Sequence, residues 1–283
     1  MNLIPDNTKI QSIDLRISDL NESLNFYSEL IGFRIIDKDN SGALLSAIGE
    51  LPYILKLAED KSAPVKMKGQ TGLFHMAFLF PDRKELARVF MRLFKNNVKF
   101  QGFTDHLVSE AIYLSDPDGN GVELYADKPE SNWQESHGQI IMDSLPLDLS
   151  KITNELNDPG VWTGIHPQTT LGHIHLSVSD LNKAEEFYNE LLGFRITNSL
   201  FPKAVFYGAG GYHHHIATNT WMLDRRAKAN ESALGMTSVT INISDENHVN
   251  VVADRAEKAG LLLTRNNEEI IIKDYDNFRI KII

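Results

Sequence analysis

The stretch YHHHIATNTW, Tyr212 to Trp221, sets three imidazoles side by side in the interior of a 283-residue chain. With an unperturbed pKa of about 6.5, an imidazole can take and return a proton near neutrality, and its neutral form ligates metal ions. If the stretch is a strand, His213 and His215 share one face and His214 takes the other. Either His214 or its flanking pair can then look into a pocket, and spacing alone leaves both readings open. The chain has no cysteine, so disulfides and thiolate sites are excluded and any metal must be held by nitrogen and oxygen.

The elements that must position these side chains belong to an ordinary globular chain, 42% apolar and 23% charged. Its length suits two domains of roughly 120–150 residues each. A formal net charge of -10 argues against a nucleic-acid partner, which calls for clustered Lys and Arg. No apolar run approaches the ~20 residues of a membrane span. The opening MNLIPDNTKI lacks the charged segment and apolar run of a secretory signal. The expectation is a cytoplasmic protein with a small-molecule partner and no membrane attachment.

The chain also repeats itself. IDLRISDLNESLNFYSELIGFRI (13–35) and IHLSVSDLNKAEEFYNELLGFRI (174–196) share 14 of 23 positions without a gap. Each copy reads as strand, helix, strand. Ile13, Leu15 and Ile17 alternate with polar residues, Asp19 or Asp180 sits where a carboxylate can cap a helix, and Gly32 or Gly193 ends that helix. Weaker copies at 73–100 and 236–263 carry the same strand, Asp and helix, with Asn97 or Gly260 at the helix stop. The expected fold is α+β: four βαβββ modules forming two open barrel-like domains. These are 1–130 (modules one and two) and 171–283 (modules three and four), joined by a connector, 131–170, whose LDLSKITNEL allows a turn or two of helix.

Four such modules, with SDL…FY…LGF and DPDGNGVELY (116–125), resemble the vicinal-oxygen-chelate superfamily of glyoxalases, extradiol dioxygenases and bleomycin-resistance proteins. The stretches TGLFHMAFLFPDR, SEAIYLSDPDGNGVELYAD and GGYHHHIATNTW are similar to its catechol 2,3-dioxygenase-like branch. The resemblance covers nearly the whole chain outside the connector. It implies metal ligands from the first strands of paired modules and a carboxylate from a last strand. Seven residues before the helix-capping Asp, modules two and three carry His75 and His173, whereas modules one and four carry Ser12 and Ser238. At the carboxylate position, module two has Glu123 and module four has Lys281, which cannot ligate a cation. The implied metal set is therefore His75, Glu123 and His173, in an active barrel built from modules two and three, with one and four pairing metal-free.

Two histidines, one carboxylate and open positions suit Fe(II), with Zn, Ni or Mn as the other ions such a set takes. By the same resemblance His214 is the acid–base residue, three positions before Ala217. Tyr113 matches a tyrosine that hydrogen-bonds a substrate oxygen, and His106 a histidine near bound oxygen. Trp221, with Phe74 and Phe78, is a candidate substrate-binding aromatic, and His213 and His215 either partner the pocket histidine or face outward in a structural role. The activity implied is extradiol cleavage of a small aromatic catechol by O2. Glyoxalase-like isomerisation, with a triplet histidine as fourth ligand, and non-enzymatic sequestration are the alternatives. A homo-oligomer is compatible with either.

Overall fold

The computed structural model describes residues 3–156, 160–221, 223–224, 230–266 and 269–283. Four modules, 9–59, 72–127, 170–219 and 235–282, each fold as a strand, a helix and three further strands. The start of each helix is set by one side chain: Asp19, Asp82, Asp180 and Asp245 each accept backbone N–H groups of the first turn. Those amides have no partner within the helix, so each cap removes an otherwise unsatisfied donor. In modules one and three the helix widens after its first turns. Leu20–Leu24 continues as Asn25–Ile31, and Leu181–Glu185 as Glu186–Leu191, with five-residue hydrogen bonds such as Gly32 N–H to Tyr27 C=O. Gly32 ends the first of these at φ 104°, where a Cβ would stand 2.8 Å from the Ile165 amide.

Among the described residues the strands assemble into one sheet of nine and one of eight, besides a two-stranded ribbon. In the larger sheet, Gly72–Phe80 of module two runs antiparallel to Thr170–Ser177 of module three. In the smaller, Lys9–Ile17 of module one pairs with Gly235–Asn242 of module four. Each first strand also lies parallel to a strand of its own module: Gly72–Phe80 to Gly121–Asp127, and Thr170–Ser177 to Ile216–Asn219. Module one is tied to module two, and module three to module four, by buried hydroxyls instead. Tyr27 donates to Asp116 at 2.8 Å, and Tyr188 to Asp274 at 2.9 Å.

In the connector, Leu145–Pro146 extends the larger sheet beside Phe100–Asp105, and Leu149–Thr153 forms a short helix. Its residues 157–159 lie outside the described residues. The two faces of the larger sheet differ in side-chain size. Met76, Phe78 and Phe80 join helix residues such as Leu86 and Phe90 in the main core. The opposite, concave face carries Ala77, Ala111 and Ala217, and these small residues leave room for a cavity of about 210 Å³. Among the described residues no helix is long and apolar enough to cross a membrane.

Candidate metal centre and its pocket

Ala77 lies in register with Glu123 on one neighbouring strand and with His173 on the other. Residues in register point to the same face of a sheet, as does His75 two positions before Ala77. This places two imidazoles and one carboxylate around a methyl group too small to separate them. Glu123 Oε2 stands 3.0 Å from His75 Nε2 and 3.3 Å from His173 Nε2. All three side chains are buried. Burial alone would raise Glu123, but the pull of His173 and His75 outweighs it and holds the carboxyl well below its usual range. Burial lowers His173 to about 4 against the opposing pull of Glu123. At neutral pH this gives an ionised carboxylate beside a neutral imidazole, the form in which both donate to a cation.

Among the described residues, these three are the only set of His, Asp or Glu with ligand atoms all within 4.8 Å of one another. His75 Nε2 is buried without a hydrogen bond despite its closeness to the carboxylate, and His173 Nδ1 is also without a partner. An unpaired buried polar atom costs about 1–3 kcal/mol and calls for a physical reason. A cation shared by the three donors would supply one for His75, so the residues present fit a metal ion. The corresponding region of the smaller sheet is filled differently. There the Lys281 ammonium, Ser238 and Tyr53 hydroxyls all donate to the buried Asp14, at 2.6, 2.9 and 3.1 Å.

The concave cavity brings His106, Tyr113, His214 and Trp221 to the same place as the metal set. The His106 Nδ1 hydrogen faces the Asp143 carbonyl at 2.8 Å, so Nε2 accepts from the Tyr113 hydroxyl at 2.7 Å. Burial, and then the charge of Glu123, push the Tyr113 phenol well above its ordinary pKa, so it keeps its proton. Trp221 lies at the cavity rim with its indole N–H on the Pro202 carbonyl at 2.7 Å. Phe74 reaches the cavity because a β-bulge separates the pairs His75↔His175 and Leu73↔Leu176 and re-aims the extra residue. Phe78 does not line it; that ring is in the core, 4.8 Å from Phe33.

The triple histidine is not on a strand, contrary to the alternation read from sequence. Gly210 and Gly211, at φ 59° and 81°, turn the chain, and the strand begins only at Ile216. The three rings still diverge. His214 lines the cavity, its ring 4.2 Å from that of His173 and 5.0 Å from Phe206. Burial first, then His173 and His213, hold it well below 6.5. His215 faces a separate groove, where its Nδ1 accepts the Ala209 N–H at 3.3 Å. His213 is fully buried between Asp127 and His214, beside the pocket histidine rather than facing outward.

His175 is a pocket residue that the sequence reading passed over, although alternation from His173 points to it. Asn219 accepts the Trp221 amide at its oxygen, so its nitrogen donates to His175 Nε2 at 2.9 Å. Tyr125 and Asp127 were also passed over; alternation from Glu123 carries both to the concave face.

Residues 9–124 and 170–279 match the model of the glyoxalase/bleomycin resistance protein/dioxygenase superfamily. The chain belongs to this superfamily. Within it, the chain is 39% identical over 277 residues to the catechol-2,3-dioxygenase of Bacillus subtilis (strain 168), covering 97% of this chain and 96% of that one. It is 25% identical over 129 residues to biphenyl-2,3-diol 1,2-dioxygenase 3 of Rhodococcus globerulus, covering 44% and 68% respectively. The superfamily fold is shared with glyoxalase I from Zea mays, at a TM-score of 0.58 and 14% identity, over 98% of this chain and 92% of that one. The near full-length match to a dioxygenase supports an enzyme of dioxygenase type that uses a metal ion.

Proposed function

We propose that the protein is an extradiol ring-cleaving dioxygenase acting on a small catechol and O2. In this reading His75, His173 and Glu123 hold an Fe(II) ion, and the nine-stranded sheet of modules two and three is the working barrel. The observation that carries the proposal is the isolated set of two imidazoles and one carboxylate in a cavity that also gathers His214, Tyr113 and His106. When bound in such a donor set, iron supplies the redox chemistry of O2 and acidifies the substrate hydroxyls.

The chain's own residues do the rest. Glu123 stays ionised and the neighbouring His173 neutral, so the donor set offers one negative charge. His214, neutral at neutral pH, takes a proton from a catechol hydroxyl and later returns it. Tyr113 has its hydrogen directed to His106, which leaves its phenolic oxygen to accept from a substrate hydroxyl. Phe74, Phe206 and Trp221 give the ring apolar walls and keep water out.

The test is iron-loaded protein mixed with catechol and alkylcatechols in an oxygen-electrode cell. Oxygen uptake with a yellow ring-fission product supports the reading. No uptake with any of them, together with turnover of a hemithioacetal by the Zn- or Ni-loaded protein, would replace it with glyoxalase-like chemistry.

A further inference from the structure

We propose that Asp127 and His213 are positioning residues that set the tautomer of His214, holding its hydrogen on Nδ1 and leaving Nε2 as the basic nitrogen. The inference builds on the reading of His214 as the proton acceptor and rests on one continuous, part-buried chain of hydrogen bonds. Asp127 Oδ2 accepts the Tyr212 hydroxyl at 2.9 Å, and Oδ1 lies 2.9 Å from His213 Nε2. A carboxylate with donors on both oxygens accepts on both, so His213 Nε2 carries the hydrogen. A neutral His213 then has only a lone pair at Nδ1. That atom is 2.8 Å from His214 Nδ1, and two lone pairs at this distance repel, so the hydrogen belongs to His214 Nδ1.

The direction is reinforced from the far side. The Tyr212 hydroxyl spends its one hydrogen on Asp127, so its oxygen accepts from Tyr125 at 2.8 Å. The chain of donors therefore runs from Tyr125 through Tyr212 into Asp127, and from His214 through His213 into the same carboxylate. Tyr125 and Asp127 come from the last strand of module two, whereas Tyr212, His213 and His214 come from the turn in module three. The Trp133 ring from the connector packs 5.3 Å from His213. A side chain that merely filled the place of His213 would support the His214 ring but would not choose between its two nitrogens.

The tautomer can be read without metal or substrate. In metal-free protein labelled with 15N-histidine, long-range 1H–15N correlation at neutral pH distinguishes Nδ1–H from Nε2–H rings. The His214 signals are identified by their loss in His214→Asn. Wild-type protein is expected to show Nδ1–H at His214. Asp127→Asn should reverse it: the Asn oxygen takes the Tyr212 hydroxyl, its amide donates to His213 Nε2, and His213 Nδ1–H then donates to His214. An Nε2–H ring in the wild type overturns the proposal whether or not the variant folds, and so does an unchanged Nδ1–H ring in folded Asp127→Asn.

Iron-loaded Asp127→Asn should keep its metal and near wild-type KM but lose about 10²–10⁴-fold in kcat, the scale of a misplaced general base. A loss confined to KM would overturn the positioning role. Wild-type protein with the expected tautomer and no catechol turnover would remove the dioxygenase reading alone.

Discussion

Replacing His215 by phenylalanine should flatten the acid side of the stability curve. His215 is buried, and burial first, then the charges of His213, His173 and Lys9, lower its pKa to about 3. In the unfolded chain the same group titrates near 6.5. Between about 3 and 6.5 the unfolded chain binds a proton that the folded one refuses, so this contribution is complete above 6.5 and lost as pH falls. From pH 7 to pH 5 the loss is about 2 kcal/mol, taking about 1.36 kcal/mol per pH unit over about 1.5 units. The substitution removes this titration but also strands the Ala209 N–H, at a cost of about 1–3 kcal/mol that does not vary with pH. Equilibrium urea unfolding of metal-free protein at pH 7 and pH 5 separates the two effects. The variant should be less stable at pH 7, yet lose about 2 kcal/mol less than wild type on going to pH 5. Equal losses in the two proteins would refute the burial argument.

His75→Ala or Glu123→Ala should abolish metal retention, measured as metal per chain after gel filtration. Lys281→Ala should retain metal in full but cost about 2 kcal/mol in unfolding experiments, because Asp14 loses its charged donor. Iron-loaded His214→Ala should keep its metal and lose about 10²–10⁴-fold in catechol turnover in the oxygen-electrode assay. In Gly172→Ala the new Cβ would stand 1.9 Å from the Tyr125 hydroxyl, so overpacking should cost about 1–3 kcal/mol and lower the melting temperature.

The fold was legible because its signals are local and repeated. A carboxylate capping each helix and apolar alternation before it mark the same module four times over, and Gly32 or Gly193 closes the helix in the two stronger copies. The juxtaposition of His75, Glu123 and His173 could be approached from sequence only through matched positions, since the three meet across strands far apart in the chain. The backbone of the triple histidine was misread because alternation presumes a strand, whereas Gly210 and Gly211 bend the chain there. Phe74 and Phe78 share the same alternating face on paper, and only the bulge at His75 separates them. The partnership of Asp127 with His213 spans 86 residues and leaves no periodic trace, so neither side chain announces the other.

Each sheet joins modules from opposite sides of the connector, two with three and one with four, and this has a consequence for the chain as a polymer. A cut in the connector would leave two fragments, each holding half of both sheets, with His75 and Glu123 on one and His173 on the other. Metal retention would then depend on encounter between fragments and would rise with their concentration by mass action. An intact chain replaces that encounter with a tether, and dilution cannot separate its donors. The connector thus sets an effective concentration for the site while contributing none of these three donors.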